Sequence, residues 1–365
     1  MLLSSVGVAA NEAPAPKAQP AKSGELTLTT IPERKIPEPE ARGKPYPVPP
    51  TNWEQRPVLW GWTCELPDGS GLAFGGVDQG ADDGNPHTRI KDGSNWKPIV
   101  EDLRKNNPLQ KYVATVRALR NDCKYALARA RNIYFDGHTP DEEAKLLKRD
   151  FDVAAVKLSA DLPALLAELK ALKGLSDYDA AQIAFASKHL LAAAPSIKPS
   201  NGKITPEQMA TLRQAQIELE IAGEAFDAEP SPRSLSLIAY EPKSKLYVIF
   251  GGEHMDYETN DLWVFDPAKK KWFQRHPDAA PEPRGDHHFD VLGDGRIAMR
   301  GGYAFGVGGF VHVGPERWIY DVAKNVWSVD GHAEKMLPAD LRSKNFLPPA
   351  VPEEFMKGPR PDAAA

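Results

Sequence analysis

The stretch LIAYEPKSKLYVIFGG, residues 237–252, decides how the rest of the chain reads. It holds a short strand, a Pro-Lys-Ser turn and a second strand that stops at Gly-Gly. Downstream, DLWVFDPAKKKW at 261–272 supplies an aromatic residue followed by Asp, then a turn and a Trp. The same order returns as HHFDVLGDGRIAMRGG at 287–302 and RWIYDVAKNVW at 317–327. Gly251 and Gly301 stand 50 residues apart, while Phe265 to Trp272 and Tyr320 to Trp327 are each seven apart. Leu246, Val248 and Phe250 alternate with Tyr247 and Ile249, so the run is apolar on both sides, as in a strand buried on both faces. Gly-Gly lets the chain turn through positive φ where that strand ends. Asp266-Pro267 and Gly293-Asp294-Gly295 are turn formers. Trp272 and Trp327 are large enough to fill a wedge between neighbouring sheets. Chance Gly-Gly pairs in an ordinary antiparallel sheet would not keep these spacings together.

A period near 50 residues with this internal order resembles the kelch repeat of the kelch and galactose-oxidase-like β-propeller families, in which each repeat is a four-stranded blade. A third copy lies at 53–100. Val58 to Cys64 reads as a strand, Pro67-Asp-Gly-Ser as a turn, and Leu72-Ala-Phe-Gly-Gly as the second strand. Gly76 to Trp96 and Gly252 to Trp272 both span 20 residues. The copy departs from the pattern at Arg89, seven residues before its Trp, where the others have Phe265 and Tyr320.

The next Gly-Gly comes 176 residues after the first, so one period of 50 leaves an insertion of about 126 residues. Its pattern is helical. Val113, Val116, Leu119, Cys123, Leu127, Ala130 and Ile133 recur every three to four positions. Thr139-Pro-Asp-Glu and Thr205-Pro-Glu-Gln are capping boxes with Pro at the first helical position. Pro163 is expected to break or kink its helix, Gly174 to cap one, and Ser176 to open the next. The expected fold is mainly β with an α insertion: a partial kelch-type β-propeller of three blades plus an antiparallel bundle of about four helices. The domains follow as a signal-like remnant and Pro-rich linker at 1–52, a blade at 53–100, the bundle at 101–228, two blades at 229–330 and a Pro-containing tail at 331–365. Three blades do not close a ring, which typically takes about four to eight. Either further sequence completes it or a second copy does, two copies giving six blades.

The chain has 365 residues, 41% hydrophobic and 26% charged, enough for a core plus one further domain. A net charge of −5 without a basic tract argues against nucleic acid as a partner, and no apolar run approaches a membrane span. MLLSSVGVAA at 1–10 lacks a basic start but resembles the end of a secretory signal. Followed by a Pro-rich tether, it gives an expectation of a secreted or periplasmic protein; a flexible N-terminus is the plainer alternative. Cys64 and Cys123 would either pair, if the protein is exported, or sit as buried thiols. No Cys-x-x-Cys spacing points to zinc.

By the resemblance, ligands are held by loops on one face of the ring: here residues 78–87, 254–260 and 303–312 after each Gly-Gly, and 284–287 between blades. His254, Asp256, Tyr257, Arg284, Tyr303 and His312 are the candidate ligand-binding residues. His254, Asp256, His287, His288 and His312 are also metal-ligand types, but their spacing carries no metal signature, so neither metal nor cofactor is expected, and His287 and His288 read as packing residues. Gly306-Val-Gly-Gly lacks the following helix that a phosphate cradle needs. The Lys269–Lys271 run reads as a solvated turn. The expectation is an exported binding or scaffolding module recognising a protein or glycan, its loops flanked by the helical insertion. The alternative is a carbohydrate-active propeller enzyme of lyase, epimerase or oxidase type using the same loops, for which His254, Tyr257, Arg284 and Tyr303 are suitable acid–base groups.

Overall fold

The computed structural model describes residues 58–59, 62–78, 88–136, 141–194, 204–231, 233–254, 257–306, 309–312 and 316–330. The linker at 1–52, the tail at 331–365 and the capping box at Thr139 lie outside the described residues. Within them the protein is mixed α and β, with three four-stranded antiparallel sheets and five helices.

The described residues begin with β1 (Val58–Leu59), β2 (Trp62–Glu65), β3 (Gly71–Phe74), β4 (Val77–Asp78), β5 (Arg89–Asp92) and β6 (Asn95–Pro98). Strands β2-β3-β5-β6 form the first sheet, and β1 pairs with β4 as a separate ribbon. The single strand expected from Val58 to Cys64 is therefore two, divided between sheet and ribbon. Helices α1 (Val100–Lys105), α2 (Gln110–Asp136), α3 (Asp141–Ala171), α4 (Asp177–Ala193) and α5 (Pro206–Phe226) follow. The second sheet is β7 (Ile238–Glu241), β8 (Leu246–His254), β9 (Tyr257–Asp266) and β10 (Lys271–Arg275). The third is β11 (His288–Val291) and β12 (Arg296–Arg300), then, past the ribbon β13 (Tyr303–Gly306) and β14 (Gly309–His312), β15 (Arg317–Asp321) and β16 (Val326–Asp330).

Register corrects one alignment. In the second and third sheets Trp272 faces Phe265 and Trp327 faces Tyr320 across the last hairpin. In the first sheet Trp96 faces Lys91, not Arg89, because Asp92 pairs directly with Asn95 and the hairpin is two residues shorter. A fixed spacing of seven misses this; the Asp that ends the third strand (Asp92, Asp266, Asp321) is the better marker.

The sheets pack face against face. Leu72 and Phe74 of the first meet Tyr247, Ile249, Trp263, Phe265 and Trp272 of the second in one buried cluster. Val248, Phe250, Leu262 and Val264 on the other side of the second meet Ile297, Met299, Trp318, Tyr320 and Trp327 of the third. Strand β8 is thus buried on both faces, as its unbroken apolar run requires. The fourth-strand Trp of the second and third sheets reaches back to the preceding sheet: Trp272 lies edge-on to Phe74 at 5.5 Å, and Trp327 edge-on to Phe250 at 5.1 Å. First strands come closest together, β7 lying beside both β2 and β11. The sheets therefore fan outward from their first strands.

The bundle has its own core around Val116, Phe151, Leu162, Leu190, Leu212 and Phe226. Ion pairs Lys111–Glu168, Asp122–Lys157 and Arg129–Asp150 run in opposite order along α2 and α3, as antiparallel neighbours must. Helix α5 is opened by the Thr205–Gln208 capping box and α4 by Ser176. Pro163 does not break α3, which runs as one helix of 31 residues. Cys123 lies in the bundle core and Cys64 on β2, both as free thiols; burial pushes Cys123 up to about 12. No described helix is long and apolar enough to cross a membrane.

The insertion leaves and re-enters at nearly one point. Ile99 and Leu103 at its start and Ala228 at its end belong to the same cluster between the first two sheets. Asn107 before α2 donates to the carbonyl of Phe226 at the end of α5 (2.8 Å). Thr88 binds them all: it donates to Glu229, accepts from the indole of Trp272 at 2.8 Å, and its carbonyl accepts from Ile99. Helix α4 lies along the outer edge strand β10. There Tyr178 Oη accepts from the Gln274 amide (2.9 Å), Lys271 approaches Asp179, and Phe185 stacks on His276 at 3.7 Å. An exposed strand edge invites aggregation, and α4 covers this one.

Candidate functional site

All six glycines of the three Gly-Gly pairs have positive φ. In the first and third sheets the second strand ends there and the pair adjoins a two-stranded ribbon, β1–β4 and β13–β14; in the second, β8 runs on through the pair, past a bulge between Phe250 and Gly252, and its far end forms the ribbon with β9. The three ribbons emerge at the same end of the sheets, and β13 lies beside β9.

Two buried arginines fix this end. Arg233 and Arg284 each precede the first strand of their sheet and do the same two jobs. The Arg233 carbonyl accepts from Gly76 N of the preceding sheet, and the Arg284 carbonyl from Gly252 N, both at 2.9 Å. The guanidinium turns to its own sheet, donating to Gly251 O from Arg233 (3.1 Å) and to Gly301 O from Arg284 (3.0 Å). The first glycine of a pair is required by this approach: a Cβ at Gly75 would lie 2.6 Å from Arg233 O, and one at Gly251 2.5 Å from Arg284 O. Arg233 is further held by both oxygens of Asp261 (2.5 and 2.9 Å) and by Ser231 and Glu224 at the end of α5. Asp261 also accepts from Thr259 and from the Trp263 indole. Such a saturated guanidinium joins parts of the fold and has little left for a ligand.

Of the residues singled out from sequence, Arg284 is one of these staples, 1% exposed, with burial pulling it down to about 10. Tyr303 opens β13, bridges Gly285 and pairs with His312, so Arg284, Tyr303 and His312 are brought together along the backbone. His254 and Tyr257 face each other at the tip of the β8–β9 ribbon. Asp256 and most of the 78–87 loop lie outside the described residues. His288 is exposed beside Asp290 at 3.0 Å. His287 is buried, packed edge-on to Phe250 and Phe289.

Sequence reasoning missed a carboxylate pair. Glu253 and Glu258 are direct cross-strand partners in the β8–β9 ribbon. Glu258 is fully buried. Burial, then the Glu258 charge, pushes Glu253 up to about 7. Two carboxylates opposed across a ladder do not both ionise freely. The signal was present in the spacing: Glu253 and Glu258 stand symmetrically on either side of the His254–Tyr257 pair. Two clefts lined by described residues are small, about 70 and 20 Å³, and both lie against the bundle.

No family model matches the chain, and no curated protein matches it. Among solved structures, one described as "Structure of YjhT" aligns at 15% identity over 28% of this chain, with a TM-score of 0.24. The chain spans 38% of that protein's length.

Proposed function

We propose that this chain is a kelch-type β-propeller module of three blades, exported from the cell, that recognises a protein or a glycan through the ribbons at the Gly-Gly end. The observation that carries the reading is the threefold repetition of one exit: strand, Gly-Gly, ribbon, always at the same end. A fanned set of sheets anchored by buried arginines is a rigid base, and chain segments presented by rigid scaffolds are where binding residues concentrate.

The Glu253–Glu258 pair favours a second reading, the carbohydrate-active enzyme. A carboxyl held near neutral pH beside a second carboxylate has the makings of a general acid. One experiment separates the two. The purified chain is applied to a wide glycan panel and a displayed-peptide library, alongside Tyr257→Ala, Tyr303→Ala and Glu253→Gln. A binding module retains ligand with Glu253→Gln and loses it with a tyrosine variant. An enzyme converts the bound sugar, and Glu253→Gln binds it without conversion. Binding to neither panel overturns the proposal.

A further inference from the structure

The third Gly-Gly pair has the build of the other two on its own side. Gly301 and Gly302 have φ of +64° and +95°. Gly301 O accepts from Arg284, as Gly251 O does from Arg233. A Cβ at Gly302 would lie 2.7 Å from Gly285 O, as one at Gly252 would lie 2.8 Å from Ser234 O. The other side differs. Gly75, Gly76, Gly251 and Gly252 are buried, whereas Gly301 and Gly302 are partly exposed. Among the described residues nothing lies within 4 Å of a Cβ placed on Gly301, and no carbonyl accepts from Gly302 N. Among the described residues, none fills in the third sheet the slot that an arginine carbonyl fills in the first two.

The occupants of the filled slots share a sequence mark, Pro-Arg, at 232–233 and 283–284. The dipeptide occurs once more in the chain, at Pro359-Arg360. We propose that Pro359-Arg360 docks on the third Gly-Gly pair, the Arg360 carbonyl accepting from Gly302 N. Chain length allows it: the 28 residues between Asp330 and Pro359 reach at most about 100 Å when extended, far more than the width of one sheet. The outer face of the third sheet also suits a polar segment better than another apolar sheet. Arg300 stands where the second sheet has Phe250, Arg317 where it has Leu262, and Asp290 where it has Ala239. Arg300 and Asp290 face each other there at 3.5 Å, both about half exposed.

The test is exchange of single glycine amides in the full chain, followed by NMR with ¹⁵N-glycine. Three proteins are compared: the intact chain, the double variant Pro359→Gly with Arg360→Gly, and the chain lacking 331–365. Gly252, held by Arg284 in all three, reports that the sheets are folded. Docking predicts that Gly302 exchanges about tenfold or more slowly in the intact chain than in either variant. Equal exchange in all three overturns the proposal. So does protection that survives the double variant: protection lost only on truncation means that another part of the tail fills the slot, and protection that grows with concentration means that a second copy does.

Discussion

Replacing His287 by Phe should flatten the acid side of the stability curve. The imidazole is 1% exposed, between Phe250 and Phe289, and among the described residues neither ring nitrogen has a hydrogen-bond partner. Burial, with Arg284 and His288 adding positive charge nearby, pulls it from 6.5 down to about 3. The folded midpoint lies below the unfolded one, so the neutral ring contributes fully above about pH 6.5. That contribution is lost as pH falls toward 3, because only the unfolded chain takes up the proton. At pH 5, about 1.5 pH units below the unfolded midpoint, the loss is about 2 kcal/mol. Urea unfolding at pH 7.5 and pH 5.0, for wild type and His287→Phe, gives a double difference in which packing changes and all other titrations cancel. The drop in stability between the two pH values should be smaller in the variant by about 2 kcal/mol. Equal drops would refute the reasoning and mean that the ring is reached by water or hydrogen-bonded.

Glu253→Gln should act in the opposite sense. The folded carboxyl titrates above its unfolded value, so wild-type stability falls as pH rises from about 4.5 through 7, and the variant should lose that decline in the same urea series. Gly251→Ala places a Cβ 2.5 Å from Arg284 O and 2.7 Å from Thr259 O at φ +57°; thermal unfolding should show a loss of about 3 kcal/mol. Gly293→Ala, also at positive φ but with open space around it, should lose only the conformational part, about 1 kcal/mol. Asp261→Ala leaves Glu224 as the remaining carboxylate on the buried Arg233 and should cost about 3 kcal/mol; Arg233→Met with Asp261→Leu should cost clearly less, measured by denaturant midpoint. Thr205→Ala removes the cap of α5 and should cost about 1 kcal/mol.

The repeating sheets were legible because their signals are local. Gly-Gly needs positive φ, the Asp at the strand end caps the turn (Asp266 accepts from Ala268 N and Lys269 N), and the burial of Trp272 and Trp327 is evident from size. The helical insertion was legible from apolar spacing and the Thr205 box. Pro163 misled because a helix of 31 residues packed along α2 holds its course through one lost hydrogen bond. The alignment of Arg89 failed because spacing says nothing of hairpin length. At the ribbon end, what sequence could not supply was partnership. Arg284 looks like a ligand-binding residue until the Gly301 carbonyl is seen to hold it, and Glu253 looks ordinary until Glu258 faces it. The Pro-Arg pairs were visible in the sequence, but only the Arg carbonyls lodged against Gly75 and Gly251 give the dipeptide a meaning.

The side-by-side entry and exit of the helices has a consequence for how such a chain arises and can be rebuilt. Thr88, Glu229 and Trp272, with Ile99, Leu103 and Ala228 at the two ends of the insertion, clasp the first two sheets together, so a short tether joining residue 107 to residue 224 would leave the seam between them largely as it is. The bundle is in that sense a cassette: acquired at a surface junction without disturbing its host, and replaceable by a foreign domain whose two termini lie equally near each other.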